Sequence, residues 1–407
     1  MPDSLLRRRS RIRASAWLSG GYFWYFAAVG CLIPFITVYY RHLQFSGFQI
    51  GVLTAILPLG IAFIAPLCGT LADTFSAHRL LLRSALVLAG LTALVMAQVT
   101  SFLTLVPLMI LLAVCLAAVP AMLDGFAMLI SAQEGVAFGR LRVWGSVGYI
   151  LTVWIVAWQM GQQVSNFFLI AYAVSLLLTG VSTLGLPRVP ALAQARQPMW
   201  RGISSMVRNP SVALVLLTVY LVTSSANIMS NYLSIYITEL GGTAQMIGTA
   251  SAIAAISEMP VLIFGHSLLN RFSSRKILAL AIAVYFIRFL LYSLPLPGYW
   301  ILSAQVMHGL SFGLYLMASV TLVHELAGRE RAATAQGLLS STSFGFGAIT
   351  GALVGGALLD RLGAVGIFQV AAVGMFIALV VGLFTVRAVG AADAQGQRLR
   401  QLTDQES

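Results

Sequence analysis

FGRLRVWGSVGYILTVWIVAW, residues 138–158, places two opposed demands on one helix. At 3.6 residues per turn, Gly139, Arg142, Gly145, Ser146 and Tyr149 fall on one face. Val143, Val147, Leu151 and Trp154 spread over the other. The first face is small, cationic and aromatic, and the second suits lipid. An arginine inside a membrane-length helix is costly and faces a cavity or a partner of opposite charge. The stretch therefore predicts a helical membrane protein with a polar interior, and the rest of the chain must supply what Arg142 meets.

Composition agrees. The 407 residues are 59% hydrophobic and 9% charged, against about 25% charged in soluble domains. The net charge of +12 does not point to nucleic acid, because the basic residues sit in short breaks between apolar runs, as orientation signals do. Cys31, Cys68 and Cys115 lie inside apolar runs without metal-like spacing and read as small buried hydrophobes. No metal site and no cofactor is expected. The RRRSRIR at 7–13 precedes an aromatic-rich run with no small-residue cleavage site, so it reads as the flank of a first span and not as a cleaved signal.

A span needs about 20 apolar residues. Twelve runs qualify, at 16–40, 47–74, 79–99, 103–132, 139–160, 165–187, 211–240, 244–270, 275–295, 298–326, 333–360 and 364–387. With both termini on one side, the opposite breaks hold only Arg41 and Arg361, and Arg288 lies within span 9. The other 21 of the 24 basic residues fall on the side of the termini, counting Arg142 with its loop. The positive-inside rule makes that side cytoplasmic.

The longest polar break, RVPALAQARQPMWRGISSMVR at 188–208, carries four arginines and divides the spans six and six. It predicts an N-terminal six-helix bundle over 1–187, a cytoplasmic linker over 188–208, a C-terminal bundle over 209–390 and a cytoplasmic tail over 391–407. LADTFSAHRL (71–80) aligns with LLNRFSSRKI (268–277), each closing the second span of its half. Such an internal repeat is a signature of duplicated transporters. Pro34, Pro58, Pro66, Pro120 and Pro260 inside the spans predict bent helices.

With these features the chain resembles the major facilitator superfamily, and more narrowly its lactose-permease and phenylpropionate-permease relatives. The superfamily motif after the second helix, G-x-x-x-D-R-x-G-R-[RK], is matched by Gly69, Leu71, Asp73 and Arg79, with departures at Thr74 and Ser76. VGCLIPFITVYYRHLQFSGFQIGVLTAILPLG (29–60) is similar to the first hairpin of the phenylpropionate and nucleoside permease relatives, and FGRLRVWGSVGY to the fifth helix of lactose permease. The resemblance implies an all-α membrane fold of two pseudo-symmetric six-helix bundles, transport by alternating access, and Gly69, Asp73 and Arg79 as a conformational motif.

Five ionisable side chains lie inside spans: Asp124, Arg142, Glu258, Arg288 and His308. Intramembrane charges of opposite sign tend to pair, since desolvating one alone costs several kcal/mol. Asp124 precedes Arg142 by 18 residues on span 4, and the resemblance implies that the two pair and contact substrate. The alternative is a structural bridge between spans 4 and 5. Glu258, mid-span 8, resembles the family's substrate- and proton-linked glutamate, with a spacing to the following loop three residues shorter. It is either a proton carrier or permanently paired with Arg288 or Arg142. Arg288 in AVYFIRFLLYS and His308 in AQVMHGLSFG match the family's arginine and histidine.

The departures matter as much. Ser311 stands where lactose permease has its proton-carrying glutamate, and serine holds no exchangeable proton at physiological pH. Glu258, Asp124 or His308 carries the proton instead, or transport is not proton-coupled. Histidine changes charge near neutrality, yet a lone histidine in a bundle can simply be hydrogen-bonded. Tyr149 replaces a stacking tryptophan, Val261 an asparagine, and Asn227 and Ser230 two aspartates. The lysine partners of those aspartates correspond to Gln305 and Phe344, which leaves a less polar cavity than a disaccharide wants. Tyr232 and Tyr236 are one turn apart, and Tyr236 is a further contact candidate. Tyr22 and the other aromatics read as packing or interface belt.

The expected function is secondary active transport: proton-coupled symport of a small organic solute, an aromatic carboxylate such as phenylpropionate or a sugar. The expected substrate residues are Arg142, Asp124, Tyr149, Glu258, Arg288, His308, Asn227 and Tyr236, with Glu258, Asp124 and His308 as proton carriers. A proton gradient takes the place of a cofactor, and the partners are substrate, protons and the lipid bilayer. The expected setting is a multi-pass monomer in a bacterial-type inner membrane with both termini cytoplasmic. The rivals are an efflux antiporter for drugs or metabolites and a non-transporting ligand sensor. No nucleophile elbow, metal-spaced His/Cys set or phosphate loop supports an enzyme.

Overall fold

The computed structural model describes residues 2–65, 67–68, 77–162, 165–187, 203–294, 298–328 and 331–406, with the side chains of 2–13, 203, 205, 262, 266, 333 and 392–406 left aside. The described residues are helical with no strand. Ten helices among them are long and apolar enough to cross a membrane. The last, Thr334–Ala391, turns at Gly363 (φ 66) and is two spans, and Ser274–Tyr292 adds a span that also carries Arg275, Lys276 and Arg288. This gives the expected twelve.

We label them α1 (Ala14–His42), α2 (Gly47–Ile64), α3 (His78–Met96), α4 (Phe102–Glu134), α5 (Phe138–Met160), α6 (Phe167–Gly185), α7 (Pro210–Glu239), α8 (Ala244–Arg271), α9 (Ser274–Tyr292), α10 (Gly298–Ala327), α11 (332–362) and α12 (364–391). An even number returns both chain ends to one face of the bundle. Of the expected linker, residues 188–202 lie outside the described residues, and Ile203–Val207 forms a short helix.

The helices break where their sequences cannot supply a continuous ladder. Proline lacks the N–H and crowds the preceding turn. The first span is interrupted at 33–35, around Pro34, and α4 between Leu116 and Val119, with Pro120 opening the next segment. Pro58 is followed by a π-helical turn at Gly60–Ile64. Pro260 sits inside an unbroken α8, and Pro66 lies outside the described residues. Two further π turns, Gly309–Gly313 in α10 and Ser341–Gly347 in α11, follow serine- and glycine-rich sequence. Such turns recur at functional sites.

Lipid tails give helices little hydrophobic reason to associate, so close packing and interhelical hydrogen bonds carry the load. Within the first bundle α1 packs on α5 and α6, and α3 on α6. Within the second, α7 packs on the α11–α12 hairpin and α9 on α12. Tyr220 and Thr350 share a hydrogen bond of 3.0 Å, Thr218 and Thr385 another of 3.0 Å, and the Tyr232 hydroxyl donates to the Ala352 carbonyl at 2.6 Å. Each such bond is worth about 0.6 kcal/mol.

The two bundles meet along α5–α8 and α2–α11. At the face opposite the termini they are closed. Arg41 and Asp360 form an ion pair at 2.9 Å, the Gly47 N–H donates to Asp360 at 2.6 Å, and Thr37 and Ser234 bond at 2.9 Å. A Cβ on Gly356 would strike the Gly47 carbonyl and the Gly51 backbone. Gly356→Leu is therefore expected to part this face. In a background with Cys31, Cys68 and Cys115 changed to serine, a cysteine at Thr37 should react with an impermeant thiol reagent at least about tenfold faster when Gly356→Leu is added. Unchanged reactivity would mean that the α2–α11 contact does not close this face.

Candidate functional site

Gly135, in the left-handed conformation (φ 68), ends α4, and Ala137 caps α5 only two residues later. That tight corner folds the two helices together, and Asp124 meets Arg142: Nη1 lies 2.9 Å from Oδ1. The same oxygen accepts the Tyr22 hydroxyl at 2.6 Å. The guanidinium also lies over the rings of Tyr22 (5.9 Å) and Phe26 (5.2 Å), contacts that stabilise a cation away from water. The glycine face of α5 turns to α1 and allows this approach. A Cβ on Gly145 would press on the Phe26 ring, and one on Gly148 would meet the Phe23 carbonyl. The Arg142 and Asp124 side chains are still 44% and 42% exposed, so the pair remains accessible.

A second cluster forms across α8, α9 and α10. α10 seats directly on α8 because position 309 has no side chain. A Cβ there would strike the Ser257 carbonyl, and the Gly309 N–H donates to the Ser257 hydroxyl at 2.9 Å. The neighbours in sequence, Glu258 and His308, are thereby brought together, with Nε2 2.8 Å from Oε1. Phe312 stacks on the imidazole at 5.3 Å. On its other side Nδ1 lies 2.8 Å from Arg288 Nη1. An arginine has only donors, so Nδ1 accepts, Nε2 carries the hydrogen, and His308 donates it to Glu258. The imidazole is held in one neutral tautomer between a cation and a carboxylate.

Arg288 is fully buried. Beyond His308 its partners are the Gln305 amide oxygen, a longer 3.4 Å contact to the Ser311 hydroxyl, and the Tyr292 ring at 5.6 Å. All are neutral, and its Nε has no partner. A buried cation is costly without a counter-charge, and the nearest one here is Glu258, reached through the imidazole. Glu258 is thus not in direct contact with Arg288 or Arg142, the two partners expected for it as a paired carboxylate.

The other expected residues divide. Tyr149, on α5, stands beside Ser251 of α8 and within electrostatic reach of Glu258. Asn227 lines a cavity of about 310 Å³ and spends one amide hydrogen on the Thr223 carbonyl at 2.8 Å. Tyr236 is elsewhere. Its hydroxyl donates to the Tyr292 and Leu294 carbonyls at 2.9 and 3.1 Å, and it lines a small separate pocket, so it is tied to the end of α9 instead of joining the others. Arg79 donates to the Leu186 carbonyl at 3.0 Å and Arg83 to that of Thr183 at 2.9 Å, which clamps α3 to the end of α6. Gly69 and Asp73 lie outside the described residues. Sequence reasoning placed Tyr22 among packing aromatics and missed its bond to Asp124. Gln305 was open to detection, since it falls one turn before His308 on the same face.

The arrangement is two ion-bearing clusters, one in each bundle. It offers a guanidinium fork for an anion and an acid–imidazole pair for a proton. The model of the MFS_1 like family matches residues 15–370. The chain is similar to the maltose permease of Geobacillus stearothermophilus, 31% identical over 85% of this chain and 89% of that one. It is also similar to a probable 3-phenylpropionic acid transporter of Escherichia coli, 23% identical over 78% and 84% of the two chains. Among solved structures, a mutant of the nucleoside transporter NupG superposes with a TM-score of 0.84 at 18% identity, covering 91% of this chain and 99% of that one.

Proposed function

The chain belongs to the MFS_1 like family, and from that premise we propose that it carries a small organic carboxylate together with one proton by alternating access. That it is a membrane transporter of the major facilitator kind, and not an enzyme, follows from its family and relatives. The coupling and the substrate class are the proposal.

One observation carries it: the charge balance of the site. With His308 neutral, Asp124 and Glu258 offset Arg142 and Arg288. A proton on Glu258 leaves the set one positive charge in excess, and Arg288 loses its counter-charge. In a site of low dielectric such an excess is costly, and a bound carboxylate removes it. Proton and anion therefore favour each other's binding, which is what symport requires. A charge-assisted fork such as that of Arg142 is the usual receptor for a carboxylate. The probable 3-phenylpropionic acid transporter among the relatives suits this reading; the maltose permease suits a neutral sugar.

The cycle uses the bundles 1–187 and 209–390 as the two moving bodies. The termini and the linker 188–208 face the cytoplasm of a bacterial-type inner membrane, and the protein works as a monomer. The face closed by Arg41 and Asp360 is then the outer one. Opening it admits substrate and proton, and Glu258, Arg142 and Asp124 receive them. Reclosure releases both inside.

The test is uptake of labelled 3-phenylpropionate into proteoliposomes. One proton and one monoanion move no net charge, so accumulation should approach about tenfold per unit of imposed pH gradient and ignore a potassium-diffusion potential. A neutral solute carried with a proton responds to both, gaining about 2.3 kcal/mol per 100 mV. Uptake of labelled maltose that follows the potential, with none of the acid, would replace the carboxylate by a sugar.

A further inference from the structure

Gln305 stands one turn before His308 on α10, is buried and turns its amide oxygen to the Nη2 of Arg288. The other contacts of that guanidinium are His308 Nδ1 at 2.8 Å, the Ser311 hydroxyl at 3.4 Å and the Tyr292 ring at 5.6 Å. A fully buried arginine is thus held by dipoles, while Glu258 stands on the far side of the imidazole. Buried cations are ordinarily paired directly. A glutamate at 305, with the length and shape of the glutamine, would pair with Arg288 directly.

Charge arithmetic gives this choice a consequence. With glutamine at 305 and His308 neutral, the set Asp124, Arg142, Glu258 and Arg288 is balanced while Glu258 is ionised. One proton on Glu258 leaves it positive by one charge. With a carboxylate at 305 the set is instead negative by one charge, and one proton on either acid brings it only to neutrality. The other ionisable groups facing Glu258, Tyr285 of α9 and Tyr149 of α5, are tyrosines, neutral at pH 6, and do not enter the sum. The charge of this cluster is felt on α5, because Tyr149 lies two turns along from Arg142 and within electrostatic reach of Glu258. Across about 10 Å, at an effective dielectric of about 20, one unit charge alters the affinity for an ion at least about tenfold. It leaves the affinity for an uncharged solute almost untouched.

We propose that Gln305 sets the charge of the transported solute: because it is neutral, the protonated site calls for an anion, and an acid in its place would make a site for uncharged solutes. The inference rests on the carboxylate reading and adds the residue that determines it. Gln305 is itself buried and acts through Arg288, as a positioning residue whose charge decides specificity.

Calorimetry on the purified full-length protein at pH 6 tests it by comparing 3-phenylpropionate with its uncharged amide, 3-phenylpropionamide. The wild type should bind the acid at least about tenfold tighter than the amide. Gln305→Glu should lower that ratio at least about tenfold. Ser311→Asp, which brings a carboxylate to the same guanidinium from six residues further along α10, should lower it as well, and it decides the matter if Gln305→Glu fails to fold. Gln305→Leu removes the hydrogen bond without adding charge and should keep the wild-type ratio, whatever affinity remains. An acid preference that persists in Gln305→Glu, or in Ser311→Asp where the first variant does not fold, overturns the inference and leaves the carboxylate reading standing. A fall as large in Gln305→Leu also overturns it, because Gln305 then acts through packing. If the wild type binds the amide as tightly as the acid, or binds neither, the carboxylate reading falls and takes the inference with it.

Discussion

Proteoliposomes carrying Glu258→Gln should lose concentrative uptake altogether while still exchanging substrate across the membrane. The glutamine is nearly isosteric and its carbonyl oxygen can accept the same Nε2–H of His308 that Glu258 accepts at 2.8 Å. The geometry of α8, α9 and α10 is thus retained and only the exchangeable proton is lost. Arg288, fully buried among neutral partners, would be permanently without a counter-charge. The site would sit in the state that protonation otherwise creates. Carboxylate affinity should then become independent of pH and stay at the value the wild type reaches in acid. Accumulation should fall from about tenfold per pH unit to none, with counterflow intact. Two measurements check this: dissociation constants between pH 5 and 8, and uptake against counterflow in the same vesicles. Full accumulation by Glu258→Gln would move the proton to Asp124. His308 is the poorer alternative, because a second proton on it would point an N–H at the N–H of Arg288.

The helical frame and the five ionisable side chains inside it could be read directly from the residues. Apolar run lengths gave the spans, and the resemblance to the permease relatives, not the residues alone, gave the Asp124–Arg142 ion pair, which the short corner at Gly135 closes. Other contacts depend on how closely two backbones approach, which no periodicity encodes. Glu258 was expected either as a proton carrier or paired with an arginine. Neither reading named His308 as its partner, and the two meet because Gly309 lets α10 rest against the Ser257 carbonyl. Tyr22 looked like any other aromatic of the first span until α5 drew against α1. Tyr236 stands apart from the two clusters for a related reason. Its helical position was read correctly, but the carbonyls that hold it, at Tyr292 and Leu294, belong to an irregular helix end.

Whether Arg142 and Asp124 bind substrate or merely bridge α4 and α5 is decided by removing them singly and together. Arg142→Ala takes away the fork and leaves Asp124 with only the Tyr22 hydroxyl at 2.6 Å. Carboxylate binding should weaken about 100-fold, close to 2.7 kcal/mol. Arg142→Lys keeps the charge but offers a point donor in place of a planar pair, and a loss of about tenfold is expected. Neither single change separates the two roles, because each strands a partner. The double variant Arg142→Gln with Asp124→Asn does. Removing both members of an ion pair is often neutral for stability, and the amides can still bond to each other and to Tyr22. Its unfolding temperature should stay within a few degrees of the wild type. For a structural bridge, uptake should return with stability. For a substrate site it should remain below about 1% of wild type, since the developing charge excess at Glu258 and Arg288 has no anion to answer it. Recovered uptake in the double variant would reduce the pair to a bridge and leave the carboxylate without its receptor.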